Sequence, residues 1–197
     1  MRGRRAFARG GLCGLVLLAL AGTGCPTIGG PTPPSRFYVL APLEPAPETT
    51  DGPGLGMGPT RLAKYLDRPQ MVTRRGANAL ELAEFDRWGE PLSEAVPRVV
   101  LSNLGALLGS DRLQLHPWRD PRGVDLELQL DVYRFDGPRG GPVELVARWQ
   151  LRRGAAKVER IARIAEAYQG TGYEAQAAAM SRALARLCRE IAAAAPR

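Results

Sequence analysis

Val124-Asp125-Leu126-Glu127-Leu128-Gln129-Leu130-Asp131-Val132 alternates apolar and polar residues without a break. Successive side chains of an extended chain point to opposite faces, so this stretch predicts a strand with one dry face and one acidic, wet face. After Asp136-Gly137-Pro138-Arg139-Gly140-Gly141-Pro142, a turn by composition, the period resumes: Val143, Leu145, Ala147, Trp149 and Leu151 alternate with Glu144, Val146, Arg148 and Gln150. The two runs form an antiparallel hairpin on this reading. Arg148 and Arg152 then face the acids of the first strand, where cross-strand ion pairs help set the register.

Working outward, the period changes to that of helices. Leu92, Val96, Val99, Val100, Leu104, Leu107 and Leu108 recur at three- and four-residue spacing, which predicts a helix over 91–108 with one buried face, stopped by Gly109. Pro97 is harmless if Ser93 is the N-cap and kinks the helix if Pro91 opens it. Ala177, Met180, Leu184, Leu187 and Ile191 make a second stripe on a helix over 173–195. Cys188 lies on that stripe as a small buried thiol. The segment 158–168 carries both patterns, and strand and helix both stay open. Toward the amino terminus, Arg36 to Leu40 reads as a strand. Met71 to Arg74 and Ala79 to Phe85 read as a hairpin around Arg75-Gly76-Ala77-Asn78. The proline- and glycine-rich segment 44–60 reads as a loop, with at most a short extended piece near Leu55 to Met57. This order predicts an α+β fold: an antiparallel or mixed sheet with two main helices packed on one face.

The first 24 residues read as an address. Arg2, Arg4, Arg5 and Arg9 precede an apolar run from Gly11 to Ala21, a signal peptide by composition. That run is too short to span a bilayer, which takes about twenty residues. Leu20-Ala21-Gly22-Thr23-Gly24-Cys25 resembles a bacterial lipobox, with Cys25 as the lipid attachment site and Gly22 where a larger aliphatic residue is usual. Ala19-Leu20-Ala21 offers a second mode, cleavage after Ala21 and release of a soluble periplasmic protein. Residues 25–35, rich in proline and glycine, read as a tether between the lipid and one domain over 36–197. Pro26 is not the aspartate that retains lipoproteins in the inner membrane, so the expected location is the periplasmic face of the outer membrane.

Net charge is +7, but without the four leader arginines the balance falls to 23 basic against 20 acidic residues, interleaved along the chain. A nucleic-acid partner is therefore not expected. Among the basic residues only Lys64 and Lys157 are lysines, a bias that points to no function. His116 is the single histidine and has neither a nucleophile elbow nor a phosphate-binding loop to work with. Asp125, Glu127 and Asp131 are accounted for by strand alternation. No catalytic residue, metal site or cofactor is expected.

Four stretches carry a family resemblance: Arg36-Phe37-Tyr38-Val39-Leu40; Tyr65-Leu66-Asp67-Arg68-Pro69-Gln70-Met71-Val72-Thr73-Arg74; Phe85-Asp86-Arg87-Trp88-Gly89-Glu90-Pro91-Leu92; and Ala179-Met180-Ser181-Arg182-Ala183-Leu184. In this order they are similar to the PqiC-like auxiliary lipoproteins of ABC-type and MCE-type lipid transport systems. That resemblance implies a small α+β domain, lipid-anchored in the outer membrane, with a periplasmic MCE-type protein and inner-membrane permease components as partners. It also implies a homo-oligomer and a part in envelope integrity. Tyr65, Leu66, Asp67, Arg68 and Arg74 are the candidate interface residues, since exposed Tyr and Arg favour interfaces. A purely local role competes for the turn, with Asp67 bonding backbone amides and Arg68 capping carbonyls. Arg74 and Arg75 pair with Glu81 or Glu84 across the hairpin or touch anionic lipid, and Trp88 plugs the core. The competing functional class is a free-standing structural lipoprotein of the envelope.

Overall fold

The structure, a computed structural model, describes residues 32–196 apart from 43, 46–49, 169 and 171. The leader, Cys25 and most of the tether lie outside the described residues. Strands β1 (Arg36–Tyr38), β2 (Leu55–Leu62), β3 (Gln70–Arg74) and β4 (Leu80–Trp88) precede helix α1 (Leu92–Leu108). Strands β5 (Leu113–Leu115), β6 (Leu126–Asp136), β7 (Val143–Arg153) and β8 (Ala156–Glu166) follow, and helix α2 (Tyr173–Ala193) closes the chain. They build an α+β fold of two mixed sheets, β1-β4-β3 and β5-β2-β6-β7-β8.

The hairpin read from alternation is the centre of the larger sheet. Asp131 stands opposite Arg148 and Glu127 opposite Arg152, and both arginines pair with those acids. The inward residues Leu126, Leu128, Leu130, Val143, Leu145, Trp149 and Leu151 are buried under α1 and α2. Burying each such side chain favours the fold by about 1.5 to 3 kcal/mol. All five residues of the α2 stripe are buried, and Cys188 donates a thiol contact to the Val100 carbonyl at 3.6 Å. Burial pushes that thiol up, so it stays protonated and inert.

One reading changes, and two that the sequence left open are decided. The segment expected to be mostly loop holds β2, an eight-residue strand between β5 and β6 and parallel to both. Its glycines misled the reading because they serve packing: a Cβ on Gly56 would meet the Trp118 ring at 2.9 Å and Val124 at 2.6 Å. Trp118 covers the strand and donates its indole N–H to the Met57 carbonyl at 3.0 Å. Residues 156–166 are a strand, antiparallel and in unbroken register with β7. A tight turn at Gly154, with φ of +55°, makes that register possible. Ser93 is not the N-cap of α1: Pro91 is, without a side-chain cap. Pro97 stands in the helix interior, where it has no N–H for the Ser93 carbonyl. Gly109 ends the helix in the left-handed conformation at φ +63°.

Candidate functional site

Two of the family-like stretches, far apart in sequence, converge in one shallow depression of about 430 Å³. The connection from β2 to β3 turns tightly: the Leu66 N–H donates to Ala63 O at 2.9 Å and the Arg68 N–H to Leu66 O at 2.9 Å. Pro69 then offers its carbonyl to the Trp88 N–H at 2.7 Å, locking the turn onto the end of β4. Ser93, freed from capping, donates its hydroxyl to Asp67 Oδ1 at 2.8 Å. Asp67, Arg68, Glu90 and Glu94 therefore share a rim, with Trp88 beneath them. Leu66 is 1% exposed and belongs to the core that holds the turn in place. Arg68 is half-buried, and its Nε has no hydrogen-bond partner among the described residues. A buried donor left unmet costs about 1 to 3 kcal/mol.

Tyr65 and Arg74 turn the other way. Both bind Asp136, which is fully buried at the end of β6. The Tyr65 hydroxyl donates to Oδ2 at 2.5 Å, and Arg74 forks onto both oxygens at 2.8 and 3.0 Å. Arg134 adds a third donor at 3.1 Å and reaches Glu144 at 2.5 Å. The Arg74 N–H also bonds Gly137 O at 2.9 Å. This cluster fastens the small sheet to the large one. Burial pushes the Asp136 carboxyl up, but the hydrogen bonds from Arg74 and Tyr65 outweigh it and hold it below the ordinary carboxylate range. Burial, reinforced by the bond to Asp136, pushes the Tyr65 phenol up to about 12. Arg75, rather than Arg74, pairs with Glu81 across the hairpin, at 3.5 Å.

Asp136 was missed because it opens a segment that reads as a turn. The inward parity that Leu126, Leu128, Leu130 and Val132 set does not reach it, because a bulge between Val132 and Arg134 shifts the register: Phe135 then faces the core opposite Leu145, and Asp136 stands opposite Glu144 on the other face. A second missed carboxylate, Asp86, accepts two hydrogen bonds from Arg36 at 2.8 Å and one from the Tyr38 hydroxyl at 2.7 Å, tying β1 to β4. These bonds, led by Arg36, hold its carboxyl below the usual range. Among the described residues no group of three or more His, Cys, Asp or Glu side chains converges as metal ligands would. His116 is exposed; its ring meets Trp118 edge-on, at 6.5 Å between centroids, and its backbone N–H donates to Met57 O at 2.9 Å.

The structure is a small two-sheet α+β domain in which turn and helix-start residues line a shared shallow depression. Residues 38–192 match the model of the ABC-type transport auxiliary lipoprotein component, and the chain belongs to that family. It is a family of transport auxiliary lipoproteins and not of enzymes. Its description as lipoprotein makes the protein envelope-associated, and no helix among the described residues is long and apolar enough to cross a membrane. No curated protein matches the sequence. The fold is similar to the crystal structure of an uncharacterized protein, with 20% identity and a TM-score of 0.67 over 82% of this chain and 99% of that one. It is also similar to protein XCC0632 from Xanthomonas campestris, with 18% identity and a TM-score of 0.63 over 80% and 93%. At these identities the likeness establishes the fold.

Proposed function

We propose that the protein is the outer-membrane-anchored subunit of an ABC/MCE-type lipid transport system, held by a lipid on Cys25 and docking a periplasmic MCE-type protein. The observation that carries this reading is the convergence of the turn at 65–69 with Trp88 to Glu94 in one depression, on a chain of the transport auxiliary family. Asp67 and Arg68 present the polar contacts, and Tyr65, Leu66 and Arg74 act from behind by holding the turn rigid. A preorganised turn loses little entropy on binding. Copies of the domain assemble as a homo-oligomer in this reading. Inner-membrane permease components are the further partners, and the assembly supports envelope integrity.

The test is in vivo photo-crosslinking from a photoreactive residue at position 68. Adducts with the cognate periplasmic MCE-type protein are expected, and they should disappear in an Arg68→Glu variant read from a second probe at Glu94. Absence of adducts from both probes, in a protein that is folded and membrane-bound, would return the chain to the class of free-standing envelope lipoproteins.

A further inference from the structure

The first strand carries apolar side chains that no core claims. Tyr38 is half-buried and Leu40 fully buried, whereas Phe37 and Val39, on the opposite face, are 66% and 58% exposed. They line an open groove of about 810 Å³ whose other wall is Ala177 and Ala178 of α2. Two bulky apolar side chains standing in water two residues apart lose stability that contact with an apolar medium would recover.

We propose that this patch is a membrane-contact surface: Phe37 and Val39 enter the headgroup region of the bilayer to which the amino-terminal lipid ties the chain. The inference rests on lipidation at Cys25. The chain outside the described residues leads directly into this strand. From Cys25 to Phe37 is twelve residues, so the tether holds Phe37 within about 40 Å of the anchored sulfur even when fully extended. Among the described residues, the other exposed large apolar side chains lie farther along the sequence from Cys25, from Leu80 onward. The flanking arginines are already matched, Arg36 by Asp86 at 2.8 Å and Arg182 by Glu166 at 2.9 Å, and Glu174, the other charged residue lining the groove, is acidic. The contact is therefore one of apolar insertion, indifferent to anionic lipid. Acyl chains already provide the affinity. What insertion adds is a fixed orientation, with the β1 end of the domain against the membrane.

Orientation is read with Phe37→Cys and Val39→Cys and, as the control, Ile161→Cys, each labelled with an environment-sensitive nitrobenzoxadiazole. Cys188 is fully buried and does not compete for the label. The lipidated full-length product is reconstituted in vesicles of phosphatidylethanolamine, with and without phosphatidylglycerol. Labels at 37 and 39 are expected to shift to the blue and to lose most of their emission to a lipid-borne shallow nitroxide, equally in both lipids. The label at 161 should do neither. A blue shift without nitroxide quenching would mean that protein covers the patch, either a second copy or a partner, and would overturn the proposal. An unshifted label would overturn it too. If the wild type fails to float with vesicles, the Cys25 reading fails separately. The same labels are then read on the mature chain held to nickel-chelating lipids by a histidine tag at position 25, where the expected and overturning results are unchanged.

Discussion

The molecule twice holds a carboxylate by an arginine fork and a tyrosine, with Arg134 as an additional donor at Asp136, and spends the arrangement differently each time. At Asp136 the acid is fully buried, the Arg74 side chain is 18% exposed, and two sheets meet. At Asp86 the acid is nearly as buried, but the Arg36 side chain is 68% exposed and the strand it secures has three residues at a sheet edge. A charge that stays in water gives up little hydration and gains little Coulomb energy, whereas a desolvated pair is held tightly because neither partner can be removed without stranding the other. Similar chemistry thus makes a fixed seam in one place and a light fastening in the other. The rigid seam stands behind the turn proposed to dock a partner. The light fastening stands beside the patch proposed to meet the membrane.

The largest effect that tests this contrast is Asp136→Asn. It leaves Arg74 and Arg134 facing a neutral amide in a buried site, and removal of one member of a buried pair costs about 3 to 5 kcal/mol. Chemical denaturation should show that loss, with the small sheet losing amide protection first. A loss below about 1 kcal/mol would put Asp136 in the same class as the surface pairs and dissolve the contrast.

Acid sharpens the same point. The folded carboxyl of Asp136 lies below the unfolded value of about 3.9, so its contribution is complete above that pH and vanishes as pH falls through the folded value. The stability gap between wild type and Asp136→Asn should therefore be constant from about pH 7 to 5 and close below about pH 4. Asp86 and Glu166 are also depressed and remain in both proteins, so they cancel in the difference. A gap that persists at the acid end would assign the loss to packing rather than to charge.

The two tyrosines separate the sites with a smaller change. Tyr65→Phe removes a hydrogen bond to a buried carboxylate, a loss of about 1.5 to 3 kcal/mol. Tyr38→Phe is expected at about 1 kcal/mol, since Asp86 lies beside an arginine that water also serves. Equal midpoint shifts would break the comparison.

What could be read in advance follows the same division between local and distant interactions. The β6–β7 hairpin was legible because alternation is written in adjacent residues, and the α2 stripe because its spacing is. β2 was not, since a strand whose outer face is covered by Trp118 needs glycines, and glycines in sequence resemble a loop. β8 was ambiguous because Ile161 is 59% exposed, so its apolar residues do not keep strict period two. The rim at Asp67 and Arg68 was visible as a motif. Its pairing with Ser93, and the turn of Tyr65 and Arg74 toward Asp136, depend on contacts across 26 to 71 residues that no local pattern records.

The smallest expected effect fixes the lower end of the scale. Glu127 and Arg152 stand directly opposite each other on β6 and β7 and form an ion pair, with side chains 14% and 51% exposed. The acid is shielded by the sheet, but the guanidinium is solvated, and the long arginine loses rotamer freedom in keeping the contact. A double-mutant cycle with Glu127→Gln and Arg152→Gln should return a coupling of about 0.2 to 1 kcal/mol. It should shrink further in salt, because exposed charges are screened over about 8 to 10 Å at physiological ionic strength. The hairpin should keep its register in all three variants, since the dry face from Leu126 to Val132 cannot slip by one residue without turning the core outward. A salt-insensitive coupling of several kcal/mol would show that the wet face is drier than its exposure implies. The difference between the seam at Asp136 and the sheet surface would then lie in geometry rather than in burial.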